Sequence, residues 1–330
     1  MRTAKYLNIL FLLLATTLLG CSKEENGIDD NKLYDISLRF NGEISTSESP
    51  LMRGEATNDL YGVNVYQDGK YYAYGLFDNV DAIRIYLPAG STYKFEATIV
   101  KDGKNIIRRS YSTSYYAPFT AYDSYYSDPE YIDCENKFNI SYYTKYDYRY
   151  LDGLKLGRSI VYTDAEQKKY RTTAYPNTDR FYGELDKFTP SADATVDIDM
   201  KRTAFGLQYQ VSGVSDGTVS IKIKNDSETF VDNTSITSDY TSQELIYTFS
   251  DVYSAWKYSD NYTENVTVSA SWLRGIGITQ DLGSKVIQIK RNRMNIVRIK
   301  LATDESGNSV GIEVESEAPM TNENITIPLG

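Results

Sequence analysis

Apolar and polar residues alternate with period two along most of this 330-residue chain, and turn signals interrupt them at short intervals. That pattern leaves few folds open. Successive side chains on a strand point to opposite faces, so every second residue can be buried while its neighbours stay wet. Over residues 33–40, Tyr34, Ile36, Leu38 and Phe40 share one face, and Asp35, Ser37 and Arg39 share the other. Residues 60–66 and 71–77 flank Asp68-Gly69, a dipeptide suited to the positive φ angles of a tight hairpin. Segments 82–87, 93–100 and 105–111 continue the meander, separated by Pro88-Ala89-Gly90 and Asp102-Gly103. Residues 111–189 are loop-rich, with one short helix expected at 164–170. Strands this short and this regularly punctuated predict an all-β sandwich or barrel.

A second domain is expected after Thr189-Pro190. Val196, Ile198 and Met200 lie on one parity, whereas Phe205, Leu207, Tyr209 and Val211 lie on the other. The switch requires an extra residue, so a bulge or bend is predicted at 201–204. Asp216-Gly217 then turns into Val219, Ile221 and Ile223, and further strands follow at 245–249, 266–272, 286–289 and 297–301. The tail alternates twice, through Val310, Ile312 and Val314 and through Ile325, Ile327 and Leu329. Pro328 confines the last segment to a sheet edge.

The first twenty residues stand apart. Arg2 and Lys5 precede an apolar run from Ile9 to Ala15, too short to span a bilayer, and small residues close it. This is a secretory signal. Leu18-Leu19-Gly20-Cys21 resembles a bacterial lipobox, in which Cys21 becomes the lipidated first residue of the mature protein. A chance cysteine at the end of a plain signal peptide is the alternative. Two or more acyl chains anchor durably where one does not, at about 0.8 kcal/mol per buried CH₂. The acidic stretch at 22–30 resembles the export signal that sends Bacteroidetes lipoproteins to the outer face of the outer membrane. A plain solvated tether is the other reading. The expected organisation is signal peptide 1–20, lipidated linker 21–32, N-terminal sandwich 33–190 with a tyrosine-rich insertion, and C-terminal sandwich 191–330.

Composition removes several function classes. Cleaving residues 1–20 takes away two cations and no acid, which moves the net charge from −10 to −12. Nucleic acid is therefore not an expected partner, since it requires clustered Lys and Arg. The chain has no histidine, which excludes Ser-His-Asp and Cys-His mechanisms and the usual zinc, copper and non-haem iron ligand sets. Carboxylate-pair glycoside hydrolysis and oxygen-ligated calcium survive. No EF-hand spacing, Gly-rich phosphate loop or GxSxG is present, and among 45 acidic residues a chance pair means nothing. The expectation is a non-enzyme with no cofactor, no metal and no catalytic residue. Once Cys21 is acylated only Cys134 remains, so no internal disulfide can form. A buried small hydrophobe is the preferred reading of Cys134, ahead of a lone thiol.

Twelve of the 31 tyrosines fall between residues 111 and 150, interleaved with carboxylates. Tyr115, Tyr116, Tyr122, Tyr125, Tyr126 and Tyr131 form the candidate ligand or adhesion surface. Their rings suit stacking on a sugar and their hydroxyls suit hydrogen bonds. The same residues also suit the cover of a half-buried sheet, or an adhesive protein surface. Trp256 and Trp272 sit in strand-like apolar surroundings and are expected in the core.

Four stretches carry a family resemblance: the lipobox with its polar linker, LYDISLRF followed by SPLMRGEATNDLYGVNVY, VDIDMKRTAFGLQYQV, and KVIQIKRNRMNIVRIKL. With these the chain resembles the fimbrillin-type lipoproteins of Bacteroidales, which are two-domain, transthyretin-like β-sandwiches that include pilus subunits. The resemblance implies a non-enzymatic cell-surface lipoprotein, structural or adhesive. In pilus-forming members a protease cuts after an arginine behind the first strand. The strand then leaves with its lipid, and a neighbouring subunit fills the groove with a strand of its own. Here Arg53 is the candidate cleavage site, residues 33–40 the removable strand and residues 325–329 a candidate donor. An uncut Arg53 implies a permanently anchored basal or stand-alone adhesin instead. The implied partners are the outer membrane through the lipid anchor, other pilus or surface subunits, and a glycan or host protein. A carbohydrate-binding surface lipoprotein is the runner-up reading, and a carboxylate glycosidase the third.

Overall fold

The alternating first half builds a broad sheet. Its long strands are β1 (Leu33–Gly42), β2 (Leu60–Gln67), β3 (Lys70–Phe77), β4 (Arg84–Pro88) and β5 (Tyr93–Val100). Six short ones follow: β6 (Arg108–Ser110), β7 (Thr113–Ala117), β8 (Tyr122–Asp123), β9 (Glu130–Tyr131), β10 (Lys137–Ile140) and β11 (Thr173–Ala174). β12 (Arg180–Phe188) and β13 (Ala194–Arg202) complete it. The structure, a computed structural model, describes residues 32–43, 58–110, 113–119, 122–123, 130–131, 133–140, 151, 154, 173–174, 178–225, 230–258, 261–275, 277–301 and 310–319.

Eight of these strands form one sheet in the order β10-β3-β2-β5-β12-β13-β1-β4. The β2–β3 hairpin turns on Asp68-Gly69 at φ angles of 50° and 78°, as the dipeptide predicts. Ile36, Leu38 and Phe40 of β1 are buried with Val63, Phe95, Ile198 and Met200 in a single core. A smaller cluster on the opposite parity, including Tyr74 and Tyr182, covers the other face.

The second half comprises β14 (Ala204–Ser212), β15 (Thr218–Asn225), β16 (Phe230–Ile236), β17 (Tyr240–Thr241) and β18 (Leu245–Thr248). After helix α1 (Val252–Tyr258) come β19 (Thr263–Leu273), β20 (Thr279–Lys290), β21 (Arg293–Leu301) and β22 (Val310–Pro319). One sheet runs β17-β14-β21-β22 with β18 also on β14, and the other runs β16-β15-β19-β20. Both contribute to one core that includes Phe205, Tyr209, Ile221, Val268, Trp272 and Val297. The protein is mostly β with stacked sheets, as its alternation implies. No helix among the described residues is long and apolar enough to cross a membrane.

Three expectations need correction. The parity switch at 201–204 is no bulge within one strand. β13 ends at Arg202 and β14 begins at Ala204, so the chain leaves one sheet for another and each strand keeps its own phase. For the same reason a boundary at 190/191 places β13 in the wrong half. β13 pairs with β1 and β12, and its Val196, Ile198 and Met200 fill the first core. Thr189-Pro190 is merely the turn before it. Trp256 lies on α1 rather than on a strand, though it packs, partly buried, against the cluster that includes Tyr182, and Trp272 is in the core as expected. The helix expected at 164–170 and the tail at 325–329 lie outside the described residues.

Candidate functional site: the first strand and the junction it closes

Period-two alternation says which side of β1 is buried, but not what it pairs with. In the sheet β1 runs parallel to β13 from Ile36↔Ala194 to Gly42↔Met200, and antiparallel to β4 from Leu33↔Pro88 to Ser37↔Arg84. It is an interior strand supplied from far away in sequence. Phe40 stacks on Tyr61 with centroids 5.8 Å apart, which fixes the end of the apolar row. On the wet face Arg39 grips Asp197 (Nε–Oδ1 2.5 Å, Nη2–Oδ2 2.8 Å), and Arg84 pairs with Asp35. The hydrogen bond and charge of Arg39 hold the Asp197 carboxyl below its ordinary range. Both pairs are exposed and screened, so they set register more than they add strength.

The end of β1 is built differently. Gly42 has φ +96°, and a Cβ there would stand 2.5 Å from the Met200 carbonyl oxygen, so no other residue fits. After this turn the Glu43 side chain, 32% exposed, lies along the rim of the junction. The Glu43 N–H donates to Met200 O at 2.9 Å, and its carboxylate accepts from the Arg202 N–H at 2.9 Å. The same carboxylate accepts from Arg291 Nη1 at 2.6 and 2.8 Å. Arg291 stands in the turn between β20 and β21, so β1 is tied to the second half of the chain.

Around this point the halves meet through polar groups that burial makes strong. Arg202 donates to Asp179 from Nε (2.8 Å) and Nη2 (2.6 Å), with the two side chains 1% and 7% exposed. Such a pair is stable only because the fork geometry satisfies both carboxylate oxygens. Arg180 is also buried. It donates to Thr178 Oγ1 at 2.6 Å and to Pro118 O at 2.5 Å. The Thr178 N–H donates to Thr248 Oγ1, Thr203 N–H to Arg180 O, and Asn292 N–H to Ala204 O. From the other side α1 lays Trp256 edge-on against Tyr182, with centroids 5.5 Å apart. Arg202 and Arg291 belong to the two basic stretches of the resemblance, and the junction is what they serve. Composition gave no hint of that role, because their carboxylate partners lie far away in sequence.

Cys21, Arg53, Tyr125 and Tyr126 lie outside the described residues. Tyr115 and Tyr116 fall on β7 and Tyr131 on β9, strands that flank β6 in one small sheet. Tyr122 is on β8, which pairs with β11 in a separate ladder. Glu96 and Glu184 oppose each other on β5 and β12, with side chains 3% and 4% exposed. Both reach Lys94 Nζ, at 3.3 and 2.8 Å, while Tyr66 and Tyr182 donate to Glu96 and Glu184 respectively. Burial, then the Glu96 charge, pushes the Tyr182 phenol above its ordinary range, so it stays a donor. Both carboxylates are thus bonded within the protein. Among the described residues no three Asp, Glu or Cys side chains gather as metal ligands.

Cys134 is half-buried beside Tyr74, Leu76 and Lys137. Burial, then the Asp78 charge, pushes its thiol up to about 12. The neutral form is thus favoured well above the ordinary thiol range. Its iodoacetamide alkylation rate is expected to rise about tenfold per pH unit from pH 8 to 10, where an exposed cysteine levels off.

No protein-family model matches the chain, and no curated protein matches it significantly. Solved structures do. The tip fimbrial protein Mfa3 of Porphyromonas gingivalis, with a C-terminal truncation, matches at 9% identity and a TM-score of 0.38, covering 86% of this chain and 99% of its own. The fimbrial anchor protein Mfa2 of the same organism matches at 9% identity and 0.41, covering 86% and 97%. A candidate polysaccharide-binding protein of Bacteroides thetaiotaomicron matches at 12% identity and 0.35, covering 88% and 99%. The structural neighbours of this chain are thus Bacteroidales fimbrial proteins and candidate adhesins.

Proposed function

We propose that the chain is a non-enzymatic surface lipoprotein of fimbrillin type. In this reading two tandem β-sandwiches are held to the outer membrane by lipid on Cys21. They act as a structural or adhesive subunit that assembles by β-strand addition. The observation that carries the reading is the seat of β1. It lies inside the sheet between β13 and β4, yet its covalent path to the rest of the body runs through residues 44–57, which include Arg53. A cut there leaves β1 held by non-covalent contacts alone. Lifting it out bares two strand edges and the pockets of Ile36, Leu38 and Phe40, which is the surface that strand addition needs. A second reading, glycan binding by the tyrosine-rich stretch, draws on β7 and β9 flanking β6 with Tyr115, Tyr116 and Tyr131.

Anchoring is tested by labelling cells with a fatty-acid analogue. The expected result is label on the wild type, none on Cys21→Ser, and loss of the native protein when intact cells are shaved with protease. An unlabelled wild type, or a labelled Cys21→Ser chain, contradicts the anchor.

A further inference from the structure

The β1 groove holds more than apolar pockets, and its far end carries sequence information. Three alternating apolar residues fit any half-buried strand, and the ladders to β13 and β4 use backbone groups that every residue except proline supplies. A slip of two residues keeps the same face buried, so neither feature alone sets register. The end of the groove does. Gly42 lies where a side chain would strike Met200 O, and Glu43 places its carboxylate on Arg291 Nη1 and the Arg202 N–H. The Arg291 side chain is 6% exposed and that of Glu43 32%, so the bond is partly shielded from water. A two-residue slip moves the carboxylate by about 7 Å and breaks it.

We infer that the strand accepted by this groove is recognised by a glycine–acid latch. Its partner is an extended segment with apolar residues at the positions of Ile36, Leu38 and Phe40, glycine at that of Gly42, and a carboxylate at that of Glu43. The inference rests on the strand-addition reading and supplies the chemistry of the incoming strand. Removing β1 withdraws one negative charge from the junction, while Asp179 stays paired with Arg202. An incoming acid restores the balance. The wet-face residues Asp35 and Arg39 contribute little to the choice, because their pairs are exposed.

The test uses the full non-lipidated chain with a specific protease site placed in residues 48–57. After cutting, fluorescent peptides spanning residues 30–44 compete with the resident β1, and their release rates are measured. The native peptide is expected to enter and leave slowly. Peptides with Glu43→Gln or Gly42→Val are expected to leave about ten- to a hundredfold faster, and Arg39→Gln within about threefold. In an Arg291→Met body the native and Glu43→Gln peptides are expected to leave at similar rates. Peptide variants leave the body untouched, so they decide the matter even if Arg291→Met does not fold. Entry of the native peptide with equal release of the Glu43→Gln peptide overturns the latch and leaves strand addition standing. Failure of the native peptide to enter overturns strand addition, and the latch with it.

Discussion

Replacing Arg202 by methionine is expected to lower the unfolding free energy by about 3–5 kcal/mol, read as a fall in the urea midpoint. The reason lies in what remains behind. Asp179, with its side chain 7% exposed, loses both donors of a fork that met each of its oxygens. A buried carboxylate stripped of its partner costs far more than the pair contributed, because its solvation was given up on folding. Changing both members, Arg202→Met with Asp179→Leu, is expected to recover most of the loss, since packed apolar groups replace buried ions at little net cost. Breaking the wet-face pair through Arg39→Met is expected to move the midpoint much less. A loss below about 1 kcal/mol in Arg202→Met contradicts the view that buried charge holds the junction.

The same contrast explains how far the sequence could be read. Local features were legible. The alternation in β1, the Asp68-Gly69 hairpin and the burial of Trp272 follow from side-chain parity and from turn chemistry that neighbouring residues determine. Pairing between distant segments was not legible. Parity cannot say that β1 lies parallel to β13, nor that the phase change after Met200 marks passage into a second sheet. The junction was least visible of all. Glu43, Asp179, Arg202 and Arg291 are common surface residue types, and only the fold brings them together. Trp256 misled for a related reason. Helix α1 is only seven residues long, too short for a clear helical period, and its place against Tyr182 is a tertiary matter.

The proposed strand addition predicts the second large effect. β1 buries three large apolar side chains and forms two ladders, so cutting residues 44–57 does not by itself expel it. An incoming strand with the same apolar row remakes the ladders and the buried contacts, which brings the exchange near balance. The cut strand, once free, can diffuse away, whereas a strand carried by a bound neighbour remains at high local concentration. Oligomers should therefore grow as the peptide is lost.

Limited trypsin digestion of residues 22–330, followed by mass spectrometry and sizing, tests this most directly. The account predicts selective cleavage after Arg53, loss of the 22–53 peptide and growth of oligomers in step with that loss. An intact Arg53, or a cut chain that stays monomeric with its peptide bound, contradicts it.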